Sequence, residues 1–176
     1  MNNRIKIIIK EQRIDITIKA FFDKQKQQML LVWIILFSLC GLAIVSQFFE
    51  DYDSATKVFF GVYVAFWLFF EFKVVYAYRW RKYGEEKIII EDKQILLVKT
   101  IGSRGVTQKY NLNEIKKIDF FKDENGDFVK SMNSSYWNIN KYHIVLQLEN
   151  SNVPFGIDLT NKEAKNIINE LRKVMQ

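Results

Sequence analysis

The sequence has almost none of the residues that build disulfide frameworks, metal sites or acid–base catalytic centres. Cysteine and histidine occur once each, as Cys40 and His143. A single cysteine excludes a disulfide framework and a cysteine-rich zinc site, and a single histidine leaves little for metal binding or proton transfer. We therefore expect no catalytic residues, no metal site and no cofactor, and hence a protein that is not an enzyme.

Charge is also missing from one long stretch of the chain, and this stretch indicates a membrane protein. Hydrophobic residues make up 49% of the 176 residues, which excludes a disordered or collagen-like chain. No charged residue occurs from Gln27 to Phe49. As a helix, residues 29–49 span roughly 30 Å, the thickness of the hydrocarbon core of a bilayer. A signal peptide has a shorter apolar region, and a soluble helix is rarely apolar on every side.

A second apolar run, residues 58–78, follows a short acidic segment, residues 50–57. This run spans a bilayer if Lys73 extends its ammonium group to the headgroups and Glu71 is neutral or paired. The sequence thus predicts a transmembrane helical hairpin, with residues 50–57 as its external loop.

Basic residues flank this hairpin, in residues 1–28 and directly after residue 78, whereas the connecting loop contains only Lys57. Because cytoplasmic flanks of membrane helices carry excess Lys and Arg, we expect both termini in the cytoplasm and a multi-pass protein of the inner membrane. Each basic side chain near the surface adds about 1 kcal/mol of attraction to anionic headgroups. The residues predicted to lie at the membrane interface are Lys24, Lys26, Lys73, Arg79, Trp80, Arg81 and Lys82.

From residue 84 onward, short β-prone runs alternate with turn signals, of which Asn125-Gly126 is the strongest hairpin signal. Thr160 and Glu163 form a capping-box pattern at the start of a final amphipathic helix. About seven strands and one helix predict a small barrel that the helix closes. The strand-like runs within residues 1–28 could extend its sheet. The apolar side of the helix has helical spacing and consists of Ala164, Ile167, Ile168, Leu171 and Met175.

The order of these segments resembles the bacterial membrane-anchored pleckstrin-homology-like (PH-like, YcxB-like) proteins. The resemblance covers roughly residues 29–176 and rests on the two membrane helices, the basic aromatic segment 78–83, the paired runs within 87–98, residues 110–118 and the terminal helix. It implies an α+β membrane protein in which a two-helix transmembrane hairpin precedes a PH-like small β-barrel, residues 84–176, capped by a C-terminal α-helix. It also implies a scaffolding or regulatory role in a bacterial inner membrane.

The remaining chemistry-bearing patterns have plainer interpretations. Gly102–Gly105 lacks the spacing and the Lys-Ser/Thr ending of a nucleotide loop, so we interpret it as a hairpin turn. Asp123, Glu124 and Asp127 lack the ligand spacing of a calcium loop, so we interpret them as turn residues. His143 has no second histidine or cysteine near it in the sequence, so we interpret it as an exposed strand residue.

Glu71 is the residue most suggestive of function inside the membrane, because an ionisable group in an apolar helix is costly. Its place near the cytoplasmic end of the second run, close to Lys73, favours a structural role at the interface. The alternative is a small transport or channel subunit that uses Glu71 together with polar residues of the first helix, Ser38, Ser46 and Gln47.

The expected partners follow from where the charges lie. A PH-like barrel suggests phosphoinositide binding, but its first hairpin turn, residues 91–93, is acidic on balance and would repel an inositol phosphate. The chain also lacks a basic recognition helix, so we expect no nucleic acid. We expect the basic residues to contact anionic headgroups of the bilayer. The expected function is a scaffold, assembly or regulatory module that binds a protein partner or itself.

Overall fold

The structure is a computed structural model with the helices and antiparallel sheets of an α+β protein. It describes residues 4–10, 13–121 and 135–175. The predicted hairpin at Asn125-Gly126 and the acidic group Asp123, Glu124 and Asp127 lie outside these residues.

The chain divides into two compact units. The helical unit comprises residues 22–79, and the β unit comprises residues 1–21 and 80–176. The helical unit is therefore inserted, in sequence, between the second and third strands of the β unit.

Two long helices make up the helical unit: α1 (Lys24–Ser46) and α2 (Ser54–Tyr83), whose last residues belong to the β unit. A carboxylate stands before each helix. Asp23 accepts a hydrogen bond from the amide of Lys26 at 3.1 Å, and Asp53 accepts one from the amide two residues later at 3.1 Å. Both helices are long and apolar enough to cross a membrane, and few residues of their apolar stretches are buried.

The two helices of the helical unit meet at a glycine. A Cβ atom on Gly41 would lie 1.9 Å from Cε2 of Trp67, so only glycine allows this approach. The indole of Trp67 donates a hydrogen bond to the carbonyl of Phe37 at 3.0 Å. A short 3₁₀ turn, Gln47–Phe49, follows α1.

The β unit begins with a five-stranded antiparallel sheet, the first sheet, whose strands lie in sequence order. Its strands are β1 (Ile5–Lys10), β2 (Arg13–Lys19), β3 (Gly84–Glu91), β4 (Gln94–Ile101) and β5 (Arg104–Asn111). The N-terminal strands extend the sheet, as the sequence suggested, because β2 pairs with β3 along its length. Ile14, Ile16 and Ile18 of β2 are buried in the core.

Tight turns join β3 to β4 and β4 to β5. Asp92 and Lys93 both have positive φ, at 49° and 60°, as two-residue hairpin turns require. Gly102, with φ 61°, turns the chain so that Ile101 pairs with Arg104. The interpretation of Gly102–Gly105 as a hairpin turn is confirmed.

A second sheet of three antiparallel strands follows a 3₁₀ turn, Leu112–Glu114. Its strands are β6 (Ile115–Phe120), β7 (Tyr142–Leu148) and β8 (Asn152–Ile157), and the helix α3 (Asn161–Met175) follows β8. The second sheet, the first sheet and α3 enclose one hydrophobic core.

The start and the buried side of α3 confirm the sequence prediction. The amide of Thr160 donates to the carboxylate of Glu163 at 2.8 Å, and the amide of Glu163 donates back to the Thr160 hydroxyl at 3.2 Å. The side chain of Met175 lies outside the part of the chain that the structure describes. The other four predicted apolar residues are buried in the core: Ala164, Ile167, Ile168 and Leu171.

The prediction of a closed barrel is wrong, because the described strands form two sheets with open edges. In a barrel built from residues 84–176 alone, the first strand, β3, would have to pair with the last strand, β8. Here β2 occupies that edge of β3 and β4 occupies the other. Among the described strands, β8 pairs with β7 only.

Candidate functional site

A cavity of about 350 Å³ lies within the β unit, between the open edges of the two sheets. One rim is β5, the last strand of the first sheet, and the other is β8, the last strand of the second sheet. This volume is in the range of cavities that take small ligands or side chains of a partner. The cavity lies where the predicted barrel fails to close.

The walls of the cavity are mostly apolar. The register of the first sheet places Val106 beside Lys99, and Gln108 beside Leu97, so all four side chains lie on the face that looks toward the core. Val106 nevertheless is 69% exposed, because the second sheet does not cover this part of the face. The apolar lining residues are Leu97, Val106, Tyr110, Val153, Pro154 and Phe155.

A buried carboxylate, Glu86, forms part of the wall. Its side chain is 2% exposed, and its Oε2 accepts two backbone hydrogen bonds at 2.9 Å, from the amides of Gly156 and Ile157 in β8. Gly156 has φ 75°, and this conformation directs two successive amides at one oxygen. Glu86 thus accepts hydrogen bonds from two amides of β8 that no described strand pairs with.

Burial raises the pKa of the Glu86 carboxyl above its ordinary value, because the charged form loses its hydration. The amide of Ile157 and the charge of Lys99 oppose this rise. The carboxylate is hydrogen-bonded through Oε2, and no group in the described part of the chain donates to Oε1. Glu86 therefore has a hydrogen-bonding atom left for a group in the cavity.

Lys99 is the cation of the cavity wall. It is the direct cross-strand partner of Glu86. Its ammonium group donates to the hydroxyl of Tyr142 at 2.6 Å and lies 4.5 Å from the centre of that ring. Glu86 and Lys99 together give the cavity one acceptor and one donor beside an apolar wall, which is suited to binding a polar group attached to an apolar one.

The residues predicted to lie at the membrane interface fall into two groups. Trp80 and Arg81 are each 2% exposed in the interior of the β unit, so their side chains do not reach lipid. The other five are exposed and stay candidates for lipid contact: Lys24, Lys26, Lys73, Arg79 and Lys82.

Arg81 is instead the centre of a buried polar network. Its guanidinium forms an ion pair with Asp158 and donates to the carbonyls of Tyr136 at 2.9 Å and Asn138 at 3.0 Å. It also stacks on the ring of Tyr136, 4.7 Å from its centre. These contacts fix two segments to the last turn of α2, the residues that precede β7 and the connection between β8 and α3.

Glu71, the predicted intramembrane residue, contacts α1 inside the helical unit. Its Oε1 accepts a hydrogen bond from the hydroxyl of Ser38 at 2.7 Å. Its Oε2 is buried and accepts no hydrogen bond from the described residues. The pairing of Glu71 with Ser38 places two of the residues named for the transport alternative side by side.

The sequence pattern contains a signal that Glu86 is buried, although we did not predict it. The strand β3 begins at Gly84, so period-two alternation puts Glu86 on the same face as Ile88 and Ile90. The predicted run began at Lys87, so Glu86 lay outside the predicted strand. No comparable local signal exists for Arg81, because its partner Asp158 is distant in sequence and is brought close only by the fold.

The sequence matches no protein-family model and no curated protein. We therefore infer the function from the geometry within each unit. The resemblance to PH-like proteins stays an expectation.

Proposed function

We propose that this protein is a membrane-anchored binding module without enzymatic activity. Its helical unit spans a bacterial inner membrane as a hairpin, and its β unit acts in the cytoplasm as a PH-like scaffold, assembly or regulatory module for a protein partner. The observation that carries the proposal is the exposed apolar surface of two helices that are each long enough to cross a bilayer.

The exposure of the helices supports a lipid environment over water. In a soluble protein, a long apolar helix is buried in the core, but few residues of the apolar stretches of α1 and α2 are buried. Exposed apolar patches of this extent on a soluble protein cause association. A bilayer covers such a surface without a protein partner.

The pairing of β2 with β3 supports a topology in which both flanks of the hairpin are on one side. Lys19 of β2 pairs with Glu85 of β3, and the amide of Ala20 donates to the carbonyl of Gly84 at 2.9 Å. These residues precede α1 and follow α2, so an even number of crossings is required. The excess of basic residues on these flanks favours the cytoplasmic side.

The cavity supports binding as the role of the β unit. It combines an apolar wall with a few polar side chains, among them Lys99 and Glu86, which is typical of a recognition site. The exposed lysines and Arg79 that flank the two helices favour a bilayer with anionic headgroups. In this proposal the membrane holds the β unit close to partners in the same bilayer.

Cysteine labelling in intact cells tests the topology. In a Cys40→Ser background, an impermeant thiol reagent should label Asp53→Cys, which lies before α2, and should not label Ser151→Cys, which lies between β7 and β8. Both should be labelled after the cells are permeabilised. The reverse pattern in intact cells would contradict the proposed orientation.

The contact of Glu71 with Ser38 favours one second candidate, a small transport or channel subunit. In that case Glu71→Gln should abolish a flux that the protein supports in vesicles, whereas Glu50→Gln, a loop carboxylate, should leave it unchanged. Unchanged flux in both variants, with partner capture retained, rejects transport through Glu71.

A further inference from the structure

The cavity lies between two strand edges that have no neighbouring strand in the described chain. The strand β5 pairs only with β4, and β8 pairs only with β7. The eight residues of β5 form a long edge, and all except Tyr110 are exposed. An exposed edge of this length is a template for pairing with another chain.

Charge distinguishes this edge from the rest of the sheet. The hairpin of β4 and β5, residues 94–111, contains three basic residues and no acidic residue. These three are Lys99, Arg104 and Lys109. Arg104 and Lys109 form no ion pair with a carboxylate in the described part of the chain, whereas Lys99 is the cross-strand partner of Glu86. A segment that carries acidic residues complements this edge electrostatically.

We propose that the cleft between β5 and β8 binds an extended, acidic peptide segment of a partner protein, which adds to the first sheet as a strand along β5. We call this cleft the strand cleft. The inference deepens the proposed binding role and depends on it, because it names the chemistry of the partner.

The apolar and polar side chains of the strand cleft are suited to an extended segment with alternating residues. Side chains of an added strand alternate between the two faces of a sheet, so every second side chain enters the cavity beside Leu97 and Phe155. Apolar residues fit at those positions. The Oε1 of Glu86, which accepts no hydrogen bond from the described residues, and the ammonium group of Lys99 provide an acceptor and a donor for polar groups of the segment. Acidic residues outside the cavity pair with Arg104 and Lys109.

The same charges argue against a second copy of this chain as the occupant. Pairing of two β5 strands would place two hairpins edge to edge, each with three basic residues and no acidic residue, and the repulsion between these like charges is unfavourable. The edge strand β1 has the same obstacle, because Lys6 and Lys10 flank its isoleucines. An acidic partner removes this repulsion.

The test uses the full chain in detergent and fluorescent peptides of about eight residues, the length of β5. Each peptide has blocked ends, apolar residues at alternate positions and an aspartate at each end, and the series varies the apolar residues. We expect saturable binding for members of the series, measured by fluorescence polarisation. Loss of binding when alternate amides are methylated identifies strand pairing, since methylation removes the amide hydrogens that pair with β5.

Two variants with matched controls locate the site. Val106→Glu puts a carboxylate on the cleft face, whereas Thr107→Glu puts the same charge on the opposite face of β5. Because both side chains are exposed, neither change should unfold the β unit. We expect Val106→Glu to weaken binding by about tenfold or more and Thr107→Glu by about twofold or less. Lys109→Glu should weaken binding of the acidic peptide, whereas Lys116→Glu on β6 should not.

Amide hydrogen exchange gives the second readout. Saturation with peptide should slow exchange in residues 104–111, because strand addition protects edge amides. Absence of saturable binding across the whole series overturns the proposal. So does equal weakening by Val106→Glu and Thr107→Glu, or formation of a dimer without peptide through β5. None of these outcomes alters the cysteine-labelling pattern, so failure of this inference is distinguishable from failure of the membrane topology.

Discussion

The helical unit and the β unit use similar apolar residues in opposite ways. In the helical unit, large apolar side chains such as Leu36, Leu39 and Phe66 point outward and are exposed. In the β unit, side chains of the same kind, such as Ile16 and Leu171, are fully buried. Polar contacts differ as well, since Glu71 and Ser38 face each other between helices, whereas most charges of the β unit lie at its surface.

This contrast agrees with the proposed location of the helical unit in lipid and of the β unit in water. The β unit is stabilised by removing apolar surface from water. In lipid that driving force between helices is absent, and close packing and polar contacts hold helices together instead. The approach of Gly41 to Trp67 and the hydrogen bond from Ser38 to Glu71 are contacts of this second kind.

The largest expected effect is loss of the N-terminal strands. The sequence predicted a barrel within residues 84–176, but β2 contributes Ile14, Ile16 and Ile18 to the core. Burial of each isoleucine is worth roughly 1.5 to 3 kcal/mol, so their loss removes a large part of the stability of a small domain. We now expect residues 84–176 to show no cooperative thermal unfolding.

A chain that joins residues 1–21 to 80–176 through a short linker provides the control. It restores β1 and β2 and should unfold cooperatively in water, as measured by circular dichroism. Equal cooperativity of the two fragments would mean that the N-terminal strands are dispensable.

Breaking the buried ion pair of Arg81 should have the next largest effect. Arg81→Ala leaves Asp158 buried without its cation, which costs about 3 to 5 kcal/mol. Arg79→Ala changes an exposed arginine two residues away and should cost less than about 1 kcal/mol. Chemical denaturation of the full chain in detergent compares them. A similar loss for both variants would show that the network around Arg81 contributes no special stability.

Matched substitutions of apolar residues test the contrast between the units directly. Ile168→Ala in α3 should destabilise the β unit by about 2 to 5 kcal/mol through lost burial and a cavity. Leu39→Ala, at an exposed position of α1, should leave the denaturation midpoint of the β unit unchanged. In addition, Leu39→Asp should reduce membrane insertion, because a central aspartate costs about 2.5 to 3.5 kcal/mol there. Unimpaired insertion of Leu39→Asp would place that side chain away from lipid.

The smallest effect is a pH dependence that originates at Glu86. Because burial raises the pKa of this carboxyl in the folded state, its contribution to stability is greatest below the ordinary pKa and is lost as the pH rises through the folded value. Glu86→Gln keeps an acceptor for the amides of Gly156 and Ile157 but cannot ionise. The melting temperature of Glu86→Gln should equal that of the parent near pH 4 and exceed it by a few degrees near pH 8. A constant difference across this range would contradict the role of ionisation.

Local patterns in the sequence predicted the parts of the fold that depend on local physics. The capping box of Thr160 and Glu163 and the apolar side of α3 each involve residues three or four positions apart, so helical spacing was sufficient. The hairpin turn at Gly102 needed only its neighbours. The two long apolar helices were evident from composition and length.

The parts that the sequence did not predict depend on contacts between distant residues. Whether a barrel closes is decided by which strand occupies the free edge of β3, and β2 lies a whole helical hairpin away in sequence. The basic segment 78–83 looked like a membrane flank, but Arg81 is buried by its partner Asp158 near the end of the chain. The cavity lies between the edges of two different sheets, so the pattern of any one strand does not predict it.

The adjacency of β2 and β3 also has a consequence for biosynthesis. The hairpin of β1 and β2 is synthesised before α1, α2 and β3, so its isoleucine face has no partner strand until these elements have been made. In the proposed topology, a chain with only one helix inserted would keep β2 and β3 on opposite sides of the bilayer. In that topology the first sheet can form only after both helices have crossed, so a complete first sheet requires that both helices are inserted.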